Sequence, residues 1–166
     1  MKKLIYFTIF MLAIGFNSCS KDEIGGTATE ALAGQWYVRL NVVNADGSIT
    51  IDPEGYGKKT IATYNTSDNS PSQMWVSDQR KFKNFAVKVK CDAGTLTFSS
   101  DGEAANKLND NIKVTIINGQ ILRGAGRQYN GSPADSIVFD AKFSNAPATT
   151  YRFTGIRYSG LVENED

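Results

Sequence analysis

Histidine is absent from all 166 residues, and that absence excludes more chemistry than any motif in the chain supplies. Nucleophile systems of the Ser-His-Asp and Cys-His kinds, His-ligated zinc and imidazole general-base catalysis are closed to this chain acting alone. Cysteine is scarce too, with Cys19 and Cys91 the two in the sequence. They allow one disulfide at most. Charge is nearly balanced at +1, which gives no electrostatic pull on nucleic acid. No cofactor motif is present: Gly124-Ala125-Gly126-Arg127 is glycine-rich but opens no helix, so it is not a phosphate loop.

The one long apolar run is Leu4 to Phe16, thirteen residues behind Lys2 and Lys3. A membrane-spanning helix needs about 20 apolar residues, so this run fits a cleaved signal better, with Asn17-Ser18 ahead of Cys19 as its small or polar end. Phe16-Asn17-Ser18-Cys19 resembles the lipobox of bacterial lipoproteins, in the loosened form found in Bacteroidetes, and Ser20-Lys21-Asp22-Glu23 is similar to the short tag that sends such lipoproteins to the cell surface. This resemblance implies a signal peptide over residues 1–18, a lipidated Cys19, and attachment to the outer membrane through acyl chains, on its surface or its periplasmic face. Two or more chains anchor stably where one does not. Removing residues 1–18 of 166 leaves 148, a size for one domain, and takes away Lys2 and Lys3, so the formal charge falls from +1 to −1. A lipidated Cys19 also leaves Cys91 without a disulfide partner, and its alternation with Phe85, Val87 and Val89 reads as a small buried hydrophobe.

Residues 19–31 are polar and lack apolar periodicity, as suits a lipidated cysteine and a flexible tether. From residue 32 to 166 the pattern is one of short apolar alternations broken by turn residues. Strands are expected over Gln35 to Asn44, Lys59 to Asn65, Gln73 to Ser77, Lys83 to Cys91, Thr95 to Ser99, Ile112 to Ile117, Gln120 to Gly124, Ser136 to Phe143 and Thr150 to Tyr158. Asn118-Gly119 is the strongest two-residue hairpin signal, since both positions tolerate positive φ. Glu103 to Leu108 is the one helix candidate, a turn or two long. About nine strands without long helices indicate an antiparallel all-β sandwich or barrel. Closing the first strand on the last removes two exposed edges and favours a barrel of about eight strands.

Ala33-Gly34-Gln35-Trp36-Tyr37, at the start of the first strand, resembles the Gly-x-Trp signature of lipocalins and their calycin relatives. In that family an arginine of the last strand lies across the tryptophan at the closed end of the barrel. Arg157, which shares a strand face with Phe153 and Gly155, matches that role better than Arg152. Together with the lipobox and the ending Thr154-Gly155-Ile156-Arg157-Tyr158-Ser159-Gly160-Leu161, the chain resembles the Bacteroidetes lipoproteins grouped as lipid-binding putative hydrolases, which have lipocalin-like barrels.

The inward set expected from alternation includes Trp36, Val38, Leu40, Phe85, Val87, Phe98, Phe139 and Phe153, joined by Val89, Cys91, Leu96, Ile137 and Phe143. These residues suit either the wall of a cavity for a small apolar or lipid-like ligand or a packed core, and alternation does not separate the two. Tyr56, Tyr64 and Trp75 are candidates for a barrel mouth, and Tyr56, Trp75 and Tyr129 for an alternative role as a surface module recognising glycan or protein. Asn106, Asn109, Asp110 and Asn111 lack the spacing of a calcium loop and read as a solvated turn. Asp52 with Glu54, or Asp135 with Asp140, are the carboxylate pairs that a histidine-free hydrolase would need. The leading expectation is a membrane-anchored binding protein without catalysis, cofactor or metal.

Overall fold

The computed structural model describes residues 26–161; Cys19, the signal segment and most of the tether lie outside the described residues. Nine strands follow a 3-10 turn at Glu30–Leu32. They are β1 (Gly34–Val43), β2 (Ile49–Ile51), β3 (Lys59–Asn65), β4 (Gln73–Ser77), β5 (Ala86–Asp92), β6 (Thr97–Ser99), β7 (Val114–Arg127), β8 (Pro133–Phe143) and β9 (Ala146–Arg157). Every pairing is antiparallel, and β1 closes on β9 from Trp36 opposite Arg157 to Val43 opposite Thr150. The ring is therefore β1 and β3 to β9, eight strands, with β2 as a short spur beside the second half of β1. Closure leaves the first and last strands without the open edges that an unclosed sheet would present.

Three local expectations are corrected. Asn118-Gly119 makes no hairpin: β7 runs through it with a register shift between Ile117 and Gln120. Asn118 has φ 53°, the left-handed conformation its sequence suits, but it is spent on a bulge. A Cβ on Gly119 would collide with the Phe98 ring and carbonyl, so glycine here lets β6 approach β7. Glu103 to Leu108 forms no helix. Ala104 bridges Val114 in both directions at 2.8 and 3.1 Å, and Asn106 holds the segment extended. Its Oδ1 accepts from the Ala86 and Leu108 amides and its Nδ2 donates to the Asn84 carbonyl, each at 3.0 Å. That buried side chain competes with the backbone for helical bonds, and it is no part of a solvated turn. The tether, finally, ends earlier than residue 31, since Thr29 and the 3-10 turn are already packed on the barrel, with Thr29 and Leu32 fully buried.

The lower end is closed by side chains from the start of β1 and the end of β9. Trp36 Nε1 donates to Thr63 Oγ1 at 2.8 Å, whose hydroxyl donates to the Leu32 carbonyl at 2.6 Å. Arg157 lies over the Trp36 ring, Cζ to centroid 4.6 Å, and donates to the Ala33 carbonyl at 3.1 Å. Gly34 has no side chain because a Cβ there would sit 2.6 Å from Arg157 Nη1.

The upper end is closed by a loop between β4 and β5. Asp78, wholly buried, gathers the amides of Arg80, Phe82, Lys83 and Phe85 at 2.7 to 3.2 Å. The loop so held drives Phe82 into the barrel, edge-on to Phe153 and Tyr56 at 5.5 Å each. Above it, Lys83 bonds Glu54 and lies 4.4 Å from the Tyr151 ring centroid. Burial pushes the Glu54 carboxyl up, but bonds from Lys83, Tyr56 and Tyr151 outweigh it and hold Glu54 below its ordinary value. Burial likewise depresses Lys83, and its bonds to Glu54 and Tyr151 more than reverse this.

Candidate functional site

All eight residues first expected to face inward do so: Trp36, Val38, Leu40, Phe85, Val87, Phe98, Phe139 and Phe153 are each at most 3% exposed. They meet one another across the axis. Phe139 stacks on Phe153 with centroids 4.7 Å apart, Phe85 packs edge-on to Phe153 at 5.7 Å, and Phe98 meets Phe139 at 5.7 Å. Phe143 caps Phe85 at 5.7 Å. Aromatic contacts of this kind add about 0.5–1.5 kcal/mol beyond area burial. Cys91 and Leu96, also expected inside, are only half-buried, and burial raises the Cys91 thiol.

Three concavities lie outside this aromatic core. A small cavity of about 70 Å³ sits at the upper rim among Lys83, Ile112, Phe143, Ala146 and Tyr151. A wide, open concavity of about 560 Å³ crosses the outside of β5, β6 and β7, with mainly polar walls such as Lys90, Asp92, Thr97 and Gln120. The third, of about 250 Å³, is an outer groove over β1 and β9, bounded by Tyr37, Arg39, Ile156, Lys58, Arg127 and Tyr129. None of these three is lined by any of the eight inward residues except Phe98, at the edge of the second.

The groove follows from strand parity. Trp36, Val38 and Leu40 point inward, so Tyr37 and Arg39 point outward, opposite Ile156 and Thr154 of β9. Gly155 lets β9 press against β1, since a Cβ there would lie 2.6 Å from Val38 Cα and closer still to the Tyr37 carbonyl. The end of β7 then folds across Ile156. A second register shift between Leu122 and Gly126, with Gly124 at φ 63°, turns the strand, and a Cβ on Gly126 would meet Ile156 Cγ2 at 2.5 Å. Gln128 Nε2 pins the hairpin tip to the Arg157 carbonyl at 2.8 Å. Tyr129, 71% exposed, stands at the tip.

The other candidates do not converge. Tyr56 packs on Phe82, while Tyr64 and Trp75 stack on the outer face of β3 and β4 with centroids 6.5 Å apart, so Tyr56, Trp75 and Tyr129 share no pocket. Asp52 caps the Tyr56 and Gly57 amides at 2.9 and 2.8 Å, whereas Glu54 pairs with Lys83. Asp140 faces outward and holds Arg152 in a two-pronged bond of 2.6 and 2.8 Å, while Asp135 accepts from the Gly124 amide. Neither carboxylate pair shares a proton or a substrate space. Among the described residues no cluster of His, Cys, Asp or Glu could hold a metal ion.

With barrel closure, the Trp36–Arg157 pair and the aromatic interior in place, the family can be tested. Residues 21–162 match the family of lipid-binding putative hydrolases. The chain belongs to that family. No curated protein matches it. For this member of the lipid-binding putative hydrolases, the match runs the full length of the barrel, from β1 to β9. The groove was missed from sequence because its residues come from β1, β3's approach, the β7–β8 tip and β9; only the outward parity of Tyr37 and Arg39 was there to be noticed.

Proposed function

We propose that this protein is a membrane-anchored lipoprotein whose barrel binds a small apolar or lipid-like ligand without catalysing a reaction on it. The family match over residues 21–162, to lipid-binding putative hydrolases, carries the lipid-binding part of the reading. Anchoring rests on Phe16-Asn17-Ser18-Cys19, with acyl chains on Cys19 as the attachment to the outer membrane.

The case against chemistry is physical. The chain has no imidazole, and its shielded carboxylates are committed to partners: Asp78 to four amides, Glu54 to Lys83, Asp140 to Arg152. Lys83, raised by its bonds, is a cation near neutral pH and a poor nucleophile. The eight inward residues are the packed core of the barrel, and the ligand binds outside that core.

Solvent extraction of the domain purified from its native membrane, followed by mass spectrometry, is expected to recover a bound amphiphile, and a fluorescent fatty acid should be displaced by it. Recovery of no ligand, together with no displacement, would overturn the reading. A broad screen of esters and glycosides should show turnover at background; a rate above it would overturn the non-catalytic half.

A further inference from the structure

We infer that the outer groove over β1 and β9 is a binding site for a single-chain amphiphile with an anionic head, held head-first by Arg39 and Arg127. This rests on the proposed lipid-binding function and assigns it a place and a ligand chemistry.

Three observations converge. The groove brings three cations, Arg39, Lys58 and Arg127, to one concavity of about 250 Å³ whose wall contains no carboxylate. The chain as a whole is nearly neutral, so this concentration of one sign is local. Arg39 Nε is shielded from solvent yet has no hydrogen-bond partner among the described residues. A shielded guanidinium donor left unpaired costs free energy that an incoming anion would recover, and a planar fork matches a carboxylate or phosphate head. By contrast Arg152 and Arg157, on the same strand β9, are each beside an aspartate, Asp140 and Asp135.

The remaining wall suits a chain. Ile156, Gly155 and the rings of Tyr37 and Tyr129 present apolar surface on both sides, and Lys58 Nζ lies 5.6 Å from the Tyr37 ring centroid, leaving its stem along the groove. Arg127 and Tyr129 of the hairpin tip border the space, and Gln128 pins that tip to β9 through the Arg157 carbonyl. A volume of about 250 Å³ is below that of the pockets that enclose drug-sized ligands, which fits a single chain partly open to solvent better than a diacyl lipid.

The test measures binding of dodecanoate, dodecyl phosphate, dodecanol and dodecyltrimethylammonium to the domain at low and high salt. Dodecanoate and dodecyl phosphate should bind at least tenfold tighter than dodecanol, lose part of that margin at high salt, and leave the trimethylammonium probe the weakest. Arg39→Gln should reduce dodecanoate binding about tenfold without lowering the melting temperature. Thr154→Glu, which sets a carboxylate opposite Arg39 in the register, should do the same by pairing the guanidinium internally. Equal binding of dodecanoate by the wild type and both folded variants would overturn the groove while leaving the lipid-binding function standing. Binding of none of the four probes by the wild type would overturn both.

Discussion

The inside and the outside of this barrel are built to opposite rules. Inside, large side chains fill the axis: Phe139 on Phe153, Phe85 and Phe82 against Phe153, Trp36 below and Leu40 beside them, all but dry. Outside, over β1 and β9, there is space, three cations and an unpaired donor. In a small barrel the same eight strands that could enclose one ligand can instead be filled by their own side chains, and side-chain size decides which. Here the interior supplies stability, and the proposed binding falls to the surface that the strands expose by parity. Mutations should therefore separate cleanly, interior ones moving stability and groove ones moving affinity.

The largest effect should come from Phe153→Ala, which removes the ring that Phe82, Phe85 and Phe139 all touch; about 3–5 kcal/mol of stability should go, read by denaturant unfolding, with dodecanoate affinity of the folded fraction unchanged. Asp78→Ala should cost about 2–4 kcal/mol, since it strands four amides and releases Phe82 from the upper end. Arg157→Ala should cost about 1–2 kcal/mol through loss of the stack on Trp36 and the bond to Ala33, and Trp36 fluorescence should shift with it. If one of these weakened ligand binding as strongly as Arg39→Gln, the division between inside and outside would fail.

The smallest effect is the most specific. Glu54 is held below its ordinary value in the fold, so its pairing with Lys83 stabilises above the unfolded carboxyl's pKa and is lost as pH falls through the folded one. Lys83, raised, contributes below its unfolded pKa and loses that contribution as pH rises through the folded one. Because both side chains are part exposed, 33% for Glu54, less than about 1 kcal/mol is at stake. Melting curves of Glu54→Gln and the wild type should differ at neutral pH and converge in acid; parallel curves at every pH would show that the pair does not stabilise the upper end.

Much of the fold was legible because barrel strands carry their instructions locally. Lys59–Asn65 and Gln73–Ser77 have the bounds that alternation gives, and Gly34, Trp36 and Arg157 meet at the lower end as the lipocalin resemblance implies. Misread segments share one cause, a local signal satisfied by a distant partner. Asn118-Gly119 has the conformation its sequence prefers, but Gly119 pairs with Phe98 of β6 and the chain runs on as one strand with a bulge. Asn106 is polar in sequence and buried in the fold because Ala86 and Asn84, 20 and 22 residues away, need its amide. β2 is not legible in the sequence because its three residues give too short an alternation, and in the fold Ile49 and Ile51 are both exposed, 38% and 64%. The groove lay further out of reach, because no single segment carries more than two or three of its residues.

Backbone and methyl chemical-shift mapping during a dodecanoate titration tests the central claim most directly. The account predicts shifts concentrated on Tyr37, Arg39, Thr154, Ile156 and the β7–β8 tip, with Phe139, Phe153, Leu40 and Val87 unmoved. Shifts that instead center on those interior residues, and on the Phe82 loop above them, would contradict it.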